Sequence, residues 1–149
     1  MSLRKEGFLA IATVARADGL LRKDELNGLL GAARGVGLSE TELTEVEQAL
    51  TQGLALTSID LSGLSGAERA LTYALAMWLA KVDGVVNAEE LATLRELAGA
   101  LDLPEQKLKA AASAAFDIVC LPGGHRPEKF EFSKLEARLR EKLPALMAT

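Results

Sequence analysis

The sequence contains few of the residues on which many enzymes and secreted proteins depend. Its 149 residues include one cysteine and one histidine, and only 4% of them are aromatic. Because Cys120 is alone, it cannot form an internal disulfide, which agrees with a reducing cytoplasm. The single histidine, His125, excludes a metal site built from several imidazoles, and its loop of proline and glycine is typical of a solvated side chain.

Long apolar runs and an excess of basic residues are also missing. The net charge of −4 argues against non-specific nucleic-acid binding, which needs clustered Lys and Arg. Charged residues at positions 4–6 interrupt the N-terminus, so it has no apolar signal core. The longest apolar run, at residues 73–80, is too short to cross a bilayer. We therefore expect a cytoplasmic protein without membrane insertion.

Leucine and alanine dominate the 49% of the chain that is apolar, and this composition favours helices over strands. The chain is long enough for one compact core, so we predict a single domain over residues 1–149. Apolar residues recur with helical spacing in seven segments. The fourth, at about 67–82 and including Trp78, is apolar nearly all round and should be the buried centre.

One segment of the sequence occurs twice, 65 residues apart. Residues 15–43 align without a gap with residues 80–108, and ten of these 29 positions are identical. Such self-similarity indicates an internal duplication. We therefore predict an all-α fold of about seven helices. It consists of a three-helix repeat over about 5–56, a second repeat over about 65–120 and a C-terminal helix over about 130–147 that packs across both.

Several local features should organise these helices. Three Ser-x-x-Glu sequences, beginning at Ser39, Ser65 and Ser133, have the spacing of helix-opening capping boxes. The third helix should extend to about Leu56. Gly28 and Gly31 are expected to allow close contact between helices, and Cys120 is expected to be a small core residue.

Each copy of the repeat carries an Asp-Gly pair followed by a glutamate, as in the second half of an EF-hand loop. Asp18 and Glu25 occupy these positions in the first copy, and Asp83 and Glu90 in the second. The first half of the loop is missing, so neither turn can hold calcium alone. If the copies pack about a pseudo-two-fold axis, the four carboxylates pool their oxygens around Ca²⁺ or Mg²⁺. These four residues are the predicted metal site.

A purely structural interpretation of the two turns stays open beside the metal site. Asp followed by Gly between helices is ordinary turn chemistry. Glu90 lies three residues after Asn87 and can complete a capping box, whereas an arginine stands at the corresponding place before Glu25. Without a metal, Arg16 and Lys81 are the internal counterions for the acidic turns.

The repeated pattern Ala-x-x-Asp-Gly-x-ψ-x-x-x-Glu, in which ψ is apolar, begins at Ala15 and again at Ala80. It resembles the TerB-like domains associated with bacterial tellurite resistance, over roughly residues 5–120. The resemblance implies a duplicated all-helical fold with an acidic cation site between the halves, to which the four acids correspond. Family members occur alone, beside membrane proteins of the tellurite cluster, and fused to J-domains. This chain lacks a His-Pro-Asp tripeptide, so J-domain activity does not carry over.

Two classes of function follow from the sequence and the resemblance. The first is a non-catalytic binding or scaffold module of a tellurite-resistance or stress-response system, with a protein partner such as a membrane protein of that system. The alternative is a metal-dependent hydrolase that uses the four carboxylates. A hydrolase needs an open coordination position and a general base, and we find no separate base in the sequence. We therefore expect a protein that is not an enzyme.

Overall fold

The computed structural model describes residues 3–16, 23–81, 88–121 and 132–144, with only the backbone described at 23–25, 132 and 133. Within these ranges the secondary structure is helical and contains no strand. The helices are α1 (Lys5–Ala15), α2 (Lys23–Gly35), α3 (Glu40–Gln52), α4 (Gly66–Lys81), α5 (Ala88–Leu101), α6 (Glu105–Val119) and α7 (Phe132–Lys142), with a short 3₁₀ turn at Leu56–Ser58. The prediction of an all-α fold with about seven helices is confirmed.

Capping boxes begin two of the helices, as the sequence predicts. At the start of α3 the backbone N–H of Glu42 donates to Ser39 Oγ over 3.2 Å, and the Ser39 N–H donates to Glu42 Oε1 over 3.0 Å. At the start of α4 the same two bonds join Ser65 and Glu68 over 3.1 and 3.3 Å. Each box satisfies backbone donors that have no partner within the helix.

Helix α4 forms the centre of the molecule. Eleven of its sixteen residues are buried, including Trp78, which is 1% exposed. It packs against α1, α5, α6 and α7. A helix that is apolar nearly all round must be covered on every side, which explains this central position.

The starts of the second and third helices of each half follow the interval of the sequence repeat. The starts of α2 and α3 lie 65 residues before those of α5 and α6. Left-handed residues follow α2 and α5 at equivalent positions, Gly37 with φ 91° and Asp102 with φ 51°. Superposition of the two halves in space stays a prediction.

The first helices of the two halves, α1 and α4, lie side by side at their N-terminal ends. A Cβ added to Gly7 in α1 would lie 2.8 Å from Thr72 Oγ1 in α4 and 2.7 Å from Leu3 Cδ1. Three residues earlier, the backbone N–H of Arg4 donates to Glu68 Oε2 over 3.1 Å. Positions 7 and 72 lie 65 residues apart, which is the interval of the sequence repeat.

Some sequence-based expectations about helix ends and packing are wrong. Helix α3 does not reach Leu56, because the chain turns at Gly53, which has φ 87°. Helix α7 begins at Phe132, so Ser133 lies within its first turn and does not precede the helix as a cap. Helix α7 packs mainly against α6 and α4, which both belong to the second repeat. Leu139, buried on its inner face, contributes to this packing.

Two small residues also differ from expectation. Gly31 is exposed, and a Cβ there would meet nothing within 4 Å, so it does not permit a close helix contact. A close contact between helices occurs at Gly7, and the same expectation for the buried Gly28 stays untested. Cys120 is exposed at the end of α6 and does not belong to the core. It follows the last residue of the helix, where the chain has already left the apolar face.

Candidate functional site

The four predicted metal ligands are described to different extents. Asp18 and Asp83 lie outside the described residues, and Glu25 is described only as part of the backbone of α2. Glu90 lies in the first turn of α5, where its side chain is buried at 7% exposure and has an interaction partner. A buried carboxylate at a helix N-terminus is stabilised by the positive end of the helix dipole. The structure therefore leaves the metal prediction open and places one of its ligands in a buried position.

The arrangement of α1 and α4 bears on whether the two acidic turns can meet. Arg4 contacts Glu68 and Gly7 approaches Thr72, so contacts advance in the same direction along both helices. The acidic turns that follow these helices lie outside the described residues, so their meeting in space stays a prediction.

The basic residues that end the first helix of each half have described partners within their own half. The Arg16 Nη1 donates to the Leu50 carbonyl over 3.1 Å, at the C-terminal turn of α3. The Lys81 Nζ lies 6.0 Å from the ring centroid of Phe116 in α6. A guanidinium at a helix C-terminus satisfies an orphan carbonyl and complements the negative end of the helix dipole. The role as counterion for the acidic turns, predicted for both residues, stays untested.

Within the described part of the chain, no three His, Cys, Asp or Glu residues lie close enough to hold a metal ion. Three of the predicted ligand side chains are outside that part, so this finding does not bear on them. The buried carboxylate of Glu68 is fully occupied in another way. It accepts from the N–H groups of Arg4 and Ser65, and its Oε1 lies 3.4 Å from Arg4 Nε.

An open cleft of about 320 Å³ lies between the exposed side of α5 and the joining segment, residues 53–65, which connects α3 to α4. Its lining combines apolar and polar residues. The lining residues are Leu56, Thr57, Ile59, Leu61, Ser62, Arg69, Glu96 and Ala100. Arg69 crosses this region and donates to three backbone carbonyls, those of Leu61, Leu64 and Leu101, over 3.3, 3.0 and 2.6 Å.

The sequence analysis did not find this cleft. A single arginine after a capping box gives no sign of acceptors 5, 8 and 32 residues away along the chain. The Ser- and Gly-rich joining segment is typical of a linker, although Leu56, Leu61 and Leu64 within it are buried. Their spacing follows neither a helix nor a strand period, so it gave no signal.

A second open cleft, of about 290 Å³, lies between α1 and the C-terminal half of α3. The Lys5 Nζ contacts Glu45 Oε2 across it at 2.9 Å, and this bond raises the pKa of Lys5. Leu54, at its edge, is 38% exposed. The ion pair already joins the two charged groups of this cleft, so they offer no unpaired charge to a ligand.

Comparisons with known proteins found no matching family model, no matching curated protein and no matching solved structure. The class defined by the fold is therefore that of an all-helical protein, and the resemblance to TerB-like domains rests on the repeated motif. None of the helices in the described ranges combines the length and the apolar character that a membrane crossing requires.

Proposed function

We propose that this protein is a non-catalytic cytoplasmic binding or scaffold module of the TerB-like type, acting in a tellurite-resistance or stress response. The observation that carries the proposal is the repeated acidic motif, set in two halves whose second and third helices begin at the same 65-residue interval. Its partner is a protein, such as a membrane protein of the resistance system. Nucleic acid is not a partner, because the chain carries a net charge of −4.

The proposal includes a divalent cation, Ca²⁺ or Mg²⁺, held between the repeats by Asp18, Glu25, Asp83 and Glu90. Four carboxylates suit a hard cation and repel one another without it. Two observations support the site: Glu90 is buried in the first turn of α5, and α1 and α4 begin side by side. The cation would stabilise the contact between the repeats and so shape the surface that the partner binds.

A thermal-denaturation experiment tests the cation site. Chelator-treated protein should become more stable when millimolar Ca²⁺ or Mg²⁺ is restored, by about 2 kcal/mol if Kd is tens of micromolar, because the native state alone binds the ion. The double variant Asp18→Asn and Asp83→Asn should lose most of this response. Asparagine keeps the turn hydrogen bonds and removes the charge.

The matched control is the double variant Glu40→Gln and Glu47→Gln, which removes the same charge from exposed positions of α3. It should keep the full response to the cation, which distinguishes binding from general screening by salt. Absence of cation binding by calorimetry, together with equal melting of parent and Asn variant, would show that the four acids are structural.

The partner-binding part of the proposal has its own test. The tagged protein, isolated from its native host after chemical crosslinking with and without tellurite stress, should retain a specific protein partner. Loss of that partner in the Asn variant would link the cation to the interaction. Recovery of the protein alone under both conditions would argue against a scaffold function.

A further inference from the structure

The cleft between the joining segment and α5 has the features of a preformed binding site. Its volume of about 320 Å³ lies at the lower end of the range for small-molecule pockets. Leu56, Ile59, Leu61 and Ala100 supply apolar surface, so the body of a ligand would leave water there. The site shares no residue with the four acids of the proposed function.

Arg69 holds the walls of the cleft in place. Each of its three guanidinium nitrogens donates to a carbonyl, two in the joining segment and one, that of Leu101, at the end of α5. Three bonds from one planar group fix the spacing between these two walls. The same bonds give three of the five N–H groups of the guanidinium backbone acceptors.

The remaining charge around the cleft is negative. The exposed carboxylate of Glu96 lines it and has no hydrogen-bond or ion-pair partner among the described residues. Asp60 lies between two lining residues, and hydrogen bonds from Ser62 lower the pKa of its carboxyl, which stays ionised. The C-terminal end of α5 adds the negative end of a helix dipole.

We propose that this cleft binds a small organic amine that carries its positive charge on an apolar body. The apolar part lies against Leu56, Ile59 and Leu61, and the ammonium group lies at Glu96. Because Arg69 directs three of its N–H groups to backbone carbonyls, the Glu96 carboxylate is the charged group without a described partner that a ligand would meet. An anion of the same size would be repelled by Glu96.

Titration of the full-length protein followed by nuclear magnetic resonance tests the proposal with three probes of similar size. These are phenethylamine, the neutral phenethyl alcohol and the anionic phenylacetate. Phenethylamine should give saturable shifts in the millimolar range at residues that line the cleft, and bind about threefold to fivefold tighter than the alcohol, as an exposed ion pair contributes. Phenylacetate should bind more weakly than either.

Two variants and one control test whether the amine binds in this cleft with its charge at Glu96. Glu96→Gln should reduce the affinity for phenethylamine to that for the alcohol, whereas Glu47→Gln, an exposed change on α3, should leave it unaltered. Ala100→Phe fills the cleft from an exposed position and should abolish binding of both probes. The proposal is overturned by shifts that do not saturate, by equal binding of phenylacetate, or by an unchanged preference for the amine in Glu96→Gln.

Discussion

The two halves of the molecule use the same order of helices but cover them differently. In the first half α2 packs against α3, whereas in the second half α7 packs against α6. The added helix buries Leu135 and Leu139, and its Lys142 Nζ lies 3.2 Å from Asp117 Oδ2 in α6. The two halves thus contain three helices in the same order, and α7 adds a further packing contact to the second half.

The same contrast appears at the residue that ends the first helix of each half. Arg16 caps α3 through the Leu50 carbonyl, whereas Lys81 lies near the face of Phe116. The position equivalent to Phe116 in the first half is a threonine, which has no aromatic face to offer. A repeated basic residue therefore acquires its partner from the neighbours that its own half provides.

The largest expected effect compares two positions that lie 65 residues apart in the two halves. Trp78→Ala should reduce the free energy of unfolding by about 3 to 5 kcal/mol, because it empties the site of a large buried side chain. The equivalent position in the first half is the half-buried Thr13, whose hydroxyl donates to the Ala10 carbonyl over 2.7 Å. Thr13→Ala should cost less than about 1 kcal/mol. Urea unfolding followed by circular dichroism measures both, and equal losses would contradict the comparison.

A second prediction concerns the contact between the halves at Gly7. Gly7→Ala should destabilise the protein by about 1 to 3 kcal/mol, because its new Cβ would overlap Leu3 and Thr72. The matched change Gly31→Ala meets open space in an exposed helix and should stabilise the protein by about 0.5 to 1 kcal/mol. Thermal denaturation shows whether each variant is more or less stable than the parent. A stability change of the same sign in both variants would show that α1 and α4 do not make the close contact at Gly7.

A third prediction compares the left-handed residues that follow α2 and α5. Gly37→Ala should cost about 1 kcal/mol, because a side chain is disfavoured at φ 91°. Asp102→Gly should add about 0.5 kcal/mol, because glycine relieves the strain of φ 51° at the equivalent position. Chemical denaturation measures whether each variant is more or less stable than the parent. A loss of stability in Asp102→Gly would indicate that the aspartate side chain has a stabilising role.

The smallest effect concerns the capping box that only the first half carries on its third helix. Hydrogen bonds from the Ser39 backbone and side chain lower the pKa of Glu42 below its ordinary value of 4.5. Because the folded state lowers this pKa, the stabilisation is present above the unfolded value and is lost as the pH falls through the folded value. The stability difference between the parent and Glu42→Gln should therefore shrink between about pH 6 and about pH 3.

The control for the pH experiment is the equivalent position of the second half, Lys107. Helix α6 follows Pro104, which provides no side-chain cap, so Lys107→Gln should show no loss of this kind on acidification. Urea midpoints measured across the pH range provide the comparison. A constant difference between the parent and Glu42→Gln would show that the charge of the capping glutamate does not contribute.

One of the two candidate sites could be predicted from the sequence, and the other could not. The acidic motif could be found from the sequence because its residues recur at a fixed interval, and the structure places its Glu90 in a buried position in the first turn of α5. The cleft beside α5 could not be found in this way. Its lining residues come from the joining segment, the start of α4 and the outer face of α5, and none of these residues belongs to a capping box or to the acidic motif.

The sequence by itself determined the seven helices, two of their capping boxes, the 65-residue interval and the buried Trp78. These features depend on residues a few positions apart, or on apolar residues that surround a single helix. Only the tertiary structure decided that Gly7 meets Thr72, that α7 covers the second half and that Arg69 joins Leu61 to Leu101. Those contacts depend on how whole helices cross, and many sequences with the same local pattern allow other crossings.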